Sequence, residues 1–331
     1  MNREFELWQF VADHLEKGEP VMLLIVATSS GSSPGRPSYK MAIAKSGEMI
    51  GSIGGGMMEV NLVEQSRAIL VNAGSTTTGF SVHQVHRENV TNSSGMICSG
   101  KQTVIFKLLG PSESEQVAAA IKGVERRDGS FLSLTPDHFE VWPPKAGTPN
   151  EGGTQNIDIE FERRSDTDFE YRERLGAKNN LYIIGGGHCA LALSEMMSKM
   201  DFNVSLFDDR PQLNTIEKNK YADAIRVIGG YGEIGEHIDS DPRGYAVVMT
   251  LGYKTDATVI RQLISKDFKY FGVLGSKAKM ATLFRELIDE GYSKERLDLI
   301  RTPIGLPINS HSPEEIAVSI AAEIISIKNA A

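Results

Sequence analysis

An alternation of short strands and helices from Leu181 onward places the strongest constraint on the fold. Five apolar runs recur there, separated mostly by segments with helical spacing: LYIIG, VSLFD, IRVIG, YAVVMTLG and YFGVLG. Short strands that alternate with helices are typical of a parallel sheet with helices on both faces. The pattern therefore predicts an α/β fold, with a Rossmann-like domain of the nucleotide-binding type over residues 176–331.

The first of these strands ends in a glycine-rich turn, IIGGGHCALAL. Its spacing fits the GxGxxA fingerprint, in which Gly185 makes the tight turn and Gly187 lets the backbone approach a phosphate. The helix that follows offers free N–H groups to an anion. Asp208 and Asp209 end the next strand, where a carboxylate accepts hydrogen bonds from a ribose. The turn indicates a nucleotide-like ligand, and the same fold with another ligand or none is the alternative.

Three side chains beside this turn each have two interpretations. His188 either donates to a phosphate or is an exposed first residue of the helix. Cys189 is expected to pack as a small buried side chain, although a helix N-terminus can also lower the pKa of a thiol. Arg210 is expected to pair with Asp209, and an anionic ligand is its alternative partner.

The first half of the chain is predicted to form a separate mixed α+β domain over residues 1–175. Apolar spacing predicts a first helix over residues 3–17, a strand at Val21–Thr28 and a hairpin around Ser46-Gly47. Further elements are expected as follows: helices near 58–72 and 113–126, and strands near 77–85, 102–109, 131–135 and 139–142. A stretch rich in Pro and Gly at 142–156 is a linker, and the alternating IDIEFERR predicts one more strand.

A second glycine run, GSIGGGMMEV, also joins a predicted strand to a predicted helix. It lacks the Lys-Ser/Thr of a P-loop, and no acid-tipped strand follows at the right distance, so it is not a second dinucleotide fingerprint. Three consecutive glycines precede a helix N-terminus suited to an anion or a polar ring: Gly54, Gly55 and Gly56. Glu59 either belongs to this site or simply complements the helix dipole. Met57 and Met58 are predicted to lie in the core.

Polar residues around this second run add candidates for a binding site. The loop GSSPGRPSYK places Ser33, Arg36 and Lys40 where each could contact a phosphate or a carboxylate. Cys98 lies among glycines and serines in SSGMICSGK, a setting in which a thiolate could act as a ligand for a soft metal. The alternative for each of them is an ordinary solvated loop residue.

Charge and composition exclude several classes of function. The chain has 35 Lys and Arg against 43 Asp and Glu, a net charge of −8, which argues against non-specific binding to nucleic acid or an anionic membrane. The run VMLLIVA is far shorter than the roughly 20 residues that a membrane-spanning helix needs. Cys98 and Cys189 form no CxxC pair, which fits free thiols in a cytoplasmic protein.

Taken together, the motifs resemble those of the XdhC/CoxI family, accessory proteins that handle the molybdenum cofactor of xanthine dehydrogenase and related molybdenum hydroxylases. In the first domain the resemblance rests on GSSPGRPSYKM, GSIGGGMMEV and MICSG. In the second it rests on IIGGGHCALAL, FDDRP, YFGVLGSKAK and TPIGLPINSHSPEEIAVSIAAEII. YFGVLGSKAK adds Ser276 and Lys277 to the expected site. This chain has Ser99 where many members have Gly, and Met57 where some have Cys, which leaves Cys98 as the candidate thiol of its domain.

The resemblance implies a cofactor carrier or chaperone and not a catalyst. Such a protein would bind molybdopterin or its dinucleotide form, support its sulfuration, and pass it to a xanthine dehydrogenase-type enzyme. A cysteine desulfurase is implied as a further partner and a homodimer as the assembly. Both glycine runs would face one cleft between the domains, with Cys98 near the pterin or the molybdenum.

Two other functions stay open at this point. An NAD(P)-dependent oxidoreductase would use the same fingerprint and the carboxylate of Asp208, although no convincing catalytic set accompanies them. An interaction module with a degenerate pocket is the third interpretation. In that case the apolar strip of the last predicted helix, residues 313–328, would be exposed to a partner and not packed on its own sheet.

Overall fold

The computed structural model describes residues 3–72, 79–85, 100–126, 130–143, 159–176, 179–200 and 202–330. Its contacts divide the chain into two units, Met1–Ala177 and Lys178–Ala331. Each unit has its own sheets and its own hydrophobic cores. Most of the linker expected at 142–156 lies outside the described residues, as do His86–Ser99 with Cys98.

The helices and strands of unit 1 follow one another in this order: α1 (Arg3–Glu16), β1 (Val21–Ser30), β2 (Lys40–Ala44), β3 (Met49–Gly51), α2 (Gly56–Asn72), β4 (Phe80–Val85), β5 (Lys101–Leu109), α3 (Ser114–Arg126), β6 (Phe131–Leu134), β7 (Phe139–Trp142), β8 (Ile159–Ser165) and β9 (Asp168–Arg174). Antiparallel pairing joins them into a five-stranded sheet in the order β3-β2-β1-β5-β4 and a four-stranded sheet in the order β7-β6-β9-β8.

Strand β1 lies at the centre of the five-stranded sheet, between β2 and β5. Its side chains alternate between two cores. Leu23 and Ile25 pack in the core that contains α1 and α3, whereas Leu24 and Val26 pack in the core that contains α2. Both faces of the strand are therefore covered, which is why Val21–Ala27 is apolar throughout and does not alternate with polar residues.

The helices and strands of unit 2 follow in this order: β10 (Asn179–Ile184), α4 (His188–Ser198), β11 (Phe202–Asp208), α5 (Asn214–Glu217), β12 (Ala224–Val227), α6 (Ile234–His237), β13 (Asp241–Val248), α7 (Tyr253–Leu263), β14 (Phe268–Val273), α8 (Lys277–Asp289), α9 (Lys294–Asp298) and α10 (Pro313–Lys328). The five strands form one parallel sheet in the order β12-β11-β10-β13-β14.

Helices cover both faces of this parallel sheet. Side chains of α4 and α10 pack in one core, and side chains of α7 and α8 pack in the other. The predicted fold, a Rossmann-like parallel sheet with an N-terminal α+β domain, is therefore confirmed. The apolar strip of α10, with Ala317, Ile320 and Ile324 fully or almost fully buried, packs within unit 2.

The direction of the chain changes at β10. It continues from β10 to β11 and β12 on one side, then returns to place β13 and β14 on the other side. Ligands of open parallel sheets bind at such a switch point, outside the carboxyl ends of the strands. The turns after β10, β13 and β14 meet at this edge because the three strands are parallel neighbours.

Candidate functional site

The glycine turn after β10 has one closed and one open position. Gly185 has a φ of 108°, and a Cβ there would lie 2.4 Å from the Met249 carbonyl oxygen and 2.9 Å from the Thr250 nitrogen. No side chain fits at this position. At Gly187, by contrast, no atom of the described residues other than its two chain neighbours lies within 4 Å of the place that a Cβ would take. Gly187 therefore leaves one side of the turn accessible to a ligand.

Helix α4 begins at His188, directly after this open glycine. Gly187 is its N-cap in an extended conformation, with no side-chain cap of its own. The N–H groups of the first turn are therefore not capped by that residue, and the positive end of the helix dipole lies there. His188 is exposed and Ala190 is fully buried. A helix start without a side-chain cap can bind a phosphate.

Cys189 packs partly into the core beneath α4, which confirms its expected role. Burial raises the pKa of its thiol, and the nearby carboxylate of Glu314 raises it further. The thiol is therefore neutral near pH 7, and the helix N-terminus does not convert it into a reactive thiolate.

Asp208 holds the glycine turn from the end of β11. Its fully buried carboxylate accepts hydrogen bonds from the Gly186 nitrogen at 2.6 Å, from the Arg210 nitrogen and Nε at 2.8 Å, and from the other side of the Arg210 guanidinium at 2.7 Å. Burial opposes ionisation, but the hydrogen bonds from Arg210 and Gly186 outweigh it and lower the pKa of Asp208.

Two expectations about this strand end need correction. Arg210 pairs with Asp208 and not chiefly with Asp209, whose carboxylate lies 3.9 Å from the Arg210 Nε. The carboxylate of Asp208 is turned into the protein, where the fold already uses both oxygens. Asp209 is the partly exposed acid of the pair, with a side chain that is 33% exposed.

A polar cluster that the sequence did not predict lies next to the glycine turn. The Thr250 hydroxyl, just after β13, contacts the carboxylate of Asp256 at 2.5 Å. The other oxygen of Asp256 accepts a hydrogen bond from the Lys279 ammonium at 2.9 Å. The signal in the sequence was present, because an acid and a lysine occupy the first turns of the helices after two consecutive strands.

Ser276 and Lys277 lie at the start of α8 beside this cluster. The Ser276 hydroxyl accepts from the Lys279 nitrogen at 3.4 Å and caps the helix. Lys277 is exposed at the first helical position. Both residues thus lie at the edge of the sheet where the glycine turn lies.

In unit 1, three loops meet through glycines that leave no room for side chains. A Cβ on Gly54 would lie 2.5 Å from the Gly35 nitrogen, and a Cβ on Gly35 would lie 2.4 Å from the Ile53 carbonyl oxygen. A Cβ on Gly100 would lie 2.3 Å from the Ser33 nitrogen. The backbone at Ser33–Gly35 is therefore packed directly against the backbone at Ile53–Gly54 and at Gly100.

The Glu59 side chain occupies the turn formed by Gly54, Gly55 and Gly56. Its carboxylate accepts hydrogen bonds from the Ser52 hydroxyl at 2.7 Å, the Ile53 nitrogen at 2.8 Å and the Gly55 nitrogen at 3.0 Å. Two of the N–H groups expected to face a ligand thus bind an internal carboxylate. Glu59 therefore stabilises the loop through these hydrogen bonds. Its negative charge also lies favourably at the N-terminus of α2.

The polar residues of the neighbouring loop divide into structural and exposed ones. Ser33 is buried and donates its hydroxyl to the Gln102 side-chain oxygen at 2.7 Å. Lys40 is also buried, with its ammonium 2.6 Å from Glu173 and 3.1 Å from Glu4. Burial opposes the charge on Lys40, but the two carboxylates outweigh it and raise its pKa.

Lys40 therefore does not face a ligand as expected, because the fold itself takes up its charge. Arg36, four residues earlier, is exposed beside the glycine contacts. Met58 is buried as predicted, whereas Met57 is 58% exposed and the prediction that it lies in the core was wrong. Cys98 lies outside the described residues, so its expected contact with molybdenum stays a prediction.

Within the described residues, no helix is long and apolar enough to cross a membrane. The same part of the chain contains no group of three or more His, Cys, Asp or Glu side chains arranged to hold a metal ion.

Comparison with protein families matches both units. Residues 181–324 match the model of the XdhC Rossmann domain, and residues 14–81 match the model of the XdhC and CoxI family. The first match includes the glycine turn of unit 2, and the second includes the glycine turn of unit 1.

Individual relatives are more distant. A Bacillus subtilis protein, named as a probable subunit of xanthine dehydrogenase, is 25% identical over 329 residues, which cover 95% of each chain. The Escherichia coli "Uncharacterized protein YqeB" is 22% identical over 314 residues, 95% of this chain but only 44% of YqeB. A crystal structure described as a xanthine dehydrogenase from Bacillus halodurans has the same fold, with a TM-score of 0.71, 22% identity, and coverage of 99% of this chain and 96% of that one.

Proposed function

The chain belongs to the XdhC and CoxI family, and on that premise we propose that it is an accessory protein of a xanthine dehydrogenase-type molybdenum hydroxylase. In this role it binds the molybdenum cofactor, as molybdopterin or its dinucleotide form, supports its sulfuration and passes it to the target enzyme. The name of the Bacillus subtilis relative supports the choice of target.

The main observation behind this proposal is the open glycine turn of unit 2. Gly187 leaves its side of the turn clear, and the first turn of α4 directs N–H groups to the same place. Molybdopterin ends in a phosphate, and a phosphate is the group that a helix start of this kind binds. The residues present thus fit the phosphate end of the cofactor, with exposed His188 as an additional donor.

In unit 1, Arg36 is the predicted site residue whose charged side chain is exposed. Considered by itself, unit 1 offers Arg36 and Cys98 as its candidate contacts to the cofactor. Ser33, Lys40 and Glu59 hold the loops in place and act on the ligand only through that packing. When bound, the cofactor would supply the redox chemistry of molybdenum, and the residues of this chain would bind and shield it.

The oxidoreductase alternative depends on Asp209, and not on Asp208, for its ribose contact. A nicotinamide cofactor is held in such domains by a free acid at the end of the second strand. Here the carboxylate of Asp208 is fully buried and bound to Gly186 and Arg210. Only Asp209 is left exposed at this strand end to accept from a ribose.

The test is the cofactor content of protein purified without oxygen from cells that make abundant molybdenum cofactor. Molybdenum is measured by mass spectrometry, and pterin is measured by fluorescence after oxidation, on the same sample. We expect both in near-stoichiometric amounts. Protein without pterin that instead binds NAD saturably would refute the carrier function and restore the oxidoreductase.

A matched pair of cysteine variants tests the assignment of Cys98. Cys98→Ala should lose molybdenum, because it removes the one thiol assigned to the site. Cys189→Ala should retain the wild-type content, because that thiol is neutral and packed beneath α4. Equal molybdenum content in the two variants would remove Cys98 from the proposed site while leaving the carrier function in place.

A further inference from the structure

A cavity of about 210 Å³ lies beside strand β14, which forms one edge of the parallel sheet. Four segments line it: the turn between α7 and β14, the strand itself, the end of α9 with the residues after it, and the end of α10. The cavity follows the first part of the strand, Phe268–Phe271, whereas the glycine turn follows the carboxyl end of β10. It is therefore separate from the site described above.

The open side of β14 is only partly paired. The Arg301 nitrogen donates to the Phe271 carbonyl oxygen at 2.8 Å, and the Val273 nitrogen donates to the Arg301 carbonyl oxygen at 2.9 Å. These bonds form a single bridge at Gly272, near the end of the strand. In the described part of the chain, no strand pairs with this side of β14 before that bridge. Such an edge can accept an extended segment as a further strand.

Apolar side chains line much of the cavity. Ile264 and Phe271 are buried in its wall, whereas Leu299 is 67% exposed beside it. Pockets that hold a whole small-molecule ligand measure about 300–1,000 Å³, so this cavity is too small for a cofactor. An apolar cavity of about 150 Å³ already holds a benzene ring. The volume therefore suits one large apolar side chain of another molecule.

Positive charge surrounds this apolar space. Four cations and one acid belong to the lining: Lys266, Lys269, Arg296, Arg301 and Asp267. Arg296 pairs with Asp267 at 2.7 Å, so these two charges offset each other. The Lys266 ammonium donates to the Gly235 carbonyl oxygen at 2.6 Å, and a carbonyl does not neutralise it.

Three of these cations have no acidic partner within the described chain. The Lys269 ammonium donates only to a backbone carbonyl oxygen, that of Lys328 at 3.3 Å. No carboxylate of the described residues lies within 4.0 Å of the charged nitrogens of Lys266, Lys269 or Arg301. The whole chain has a net charge of −8, so this edge is a local positive patch on an acidic protein.

The charges decide between the candidate occupants of the edge. In a twofold dimer the same patch meets itself, so these cations would face their own copies. Charged side chains, lysine above all, protect edge strands from such pairing. Protection alone requires neither a cavity nor the exposed Leu299 beside it. An acidic extended segment suits both features, because its carboxylates meet the cations while an apolar side chain fills the cavity.

From these observations we infer that the first part of β14 is a docking site for an extended, acidic segment of a partner protein. The segment adds to the sheet as a further strand before the bridge at Gly272. One large apolar side chain enters the cavity beside Leu299, and the carboxylates of the segment contact Lys269 and Arg301. The inference goes beyond the proposed function and does not depend on it, because it concerns a different part of unit 2.

The test measures the binding of fluorescein-labelled hexapeptides to the full chain by fluorescence anisotropy at fixed salt. The acidic probe has the sequence Glu-Val-Glu-Phe-Glu-Val. A second probe has proline in place of both valines, which keeps the charge but removes two backbone N–H groups. A third has alanine in place of phenylalanine, and a fourth has lysine in place of every glutamate.

We expect wild-type protein to bind the acidic probe saturably and the lysine probe not at all. The alanine probe should bind about tenfold more weakly, the factor for the burial of one large apolar side chain. The proline probe should also bind about tenfold more weakly, because it cannot donate its share of the strand hydrogen bonds.

A charge-reversed variant separates docking from a loss of folding. Lys269→Glu/Arg301→Glu should bind the lysine probe more tightly than the acidic one. Unfolding weakens the binding of both probes and cannot reverse this preference. Lys294→Glu, at an exposed position at the start of α9 and outside the cavity, is the matched control and should keep the wild-type preference.

Each outcome decides the inference. Wild-type protein that does not bind the acidic probe overturns it, and so does an unchanged preference in Lys269→Glu/Arg301→Glu or an equal reversal in Lys294→Glu. Equal affinity for the valine and proline probes would show attraction between charges without strand addition, which also overturns it. Sedimentation velocity tests the second copy: a wild-type dimer that the double variant dissociates would assign this edge to self-association instead.

Discussion

Replacing Lys40 by Met should destabilise unit 1 through a charge left without its partner. Lys40 lies between the carboxylates of Glu173 and Glu4, at 2.6 and 3.1 Å, and the side chains of Lys40 and Glu173 are 6% and 5% exposed. At an effective dielectric constant of about 20, these separations correspond to attractions of about 6 and 5 kcal/mol. Most of this offsets desolvation, and breaking such a pair costs about 3–5 kcal/mol net.

The pH dependence of this loss follows from Glu173. Burial raises the pKa of its carboxyl, Lys40 lowers it, and Glu4 raises it again. Without Lys40, the folded-state pKa of Glu173 rises further above its unfolded value of about 4.3. The folded variant then holds a proton that the unfolded chain has released, so its stability increases as the pH falls. We expect the largest difference from wild type near pH 8 and a smaller one near pH 5.

Urea unfolding followed by tryptophan fluorescence measures this change. Both tryptophans of the chain, Trp8 and Trp142, lie in unit 1, so the signal reports that unit. With a slope of about 2 kcal/mol per M, the midpoint should fall by about 2 M. Lys45→Met, at an exposed position in the turn after β2, is the control and should change the free energy of unfolding by less than about 0.5 kcal/mol.

Two results would refute this reasoning. One is a Lys40→Met variant as stable as the Lys45→Met control. The other is a loss of stability that does not shrink between pH 8 and pH 5, since that would show that an unpaired Glu173 is not its cause. The double variant Lys40→Met/Glu173→Met should recover part of the stability, because it removes the unpaired carboxylate together with its former partner.

Three further predictions concern the glycine turns. Gly185→Ala should destabilise unit 2 by several kcal/mol, because its Cβ would meet the Met249 carbonyl oxygen at 2.4 Å, whereas Gly187→Ala should leave thermal unfolding unchanged and weaken AMP binding; the reverse order would contradict the assignment. Asp208→Asn should remove stability that wild type has above about pH 4 and loses as the pH falls below it, since the folded-state pKa is lowered; a pH-independent difference in melting temperature would argue against this. Glu59→Gln should lower the free energy of unfolding by about 1–2 kcal/mol, and unchanged urea midpoints would show that the turn closes without its charge.

Local patterns were sufficient for most of the fold. The alternation after Leu181 predicted the parallel sheet and its glycine turn. Strands and turns depend mainly on residues that are neighbours in the sequence, so a local pattern is enough to predict them. Strand β9, Asp168–Arg174, was missed. Its sequence DFEYRER alternates, but with charged residues on both faces. Glu173 points inward only because Lys40, 133 residues away, meets it there.

The site was less predictable because its side chains also depend on partners that are distant in the sequence. The types of residue at Lys40, Asp208 and Glu59 suggested contact with a ligand. Each is instead used by the fold, through a partner whose position depends on the tertiary structure. Asp256 and Lys279 went unnoticed because each alone resembles an ordinary charged residue in a first helical turn. Only the packing of α7 against α8 brings the two together.

The contacts among Gly35, Gly54 and Gly100 also determine when the loops of unit 1 can assemble during synthesis. The backbone of each segment fills space beside another, and β1 needs β5, which begins at Lys101, to complete its pairing. At about 5–20 residues per second, Gly100 is made roughly 3–13 s after Gly35. In a nascent chain, the loop that contains Arg36 is therefore made long before Gly100, against which this loop packs. The close packing of these loops is thus a property of the finished domain and not of the emerging chain.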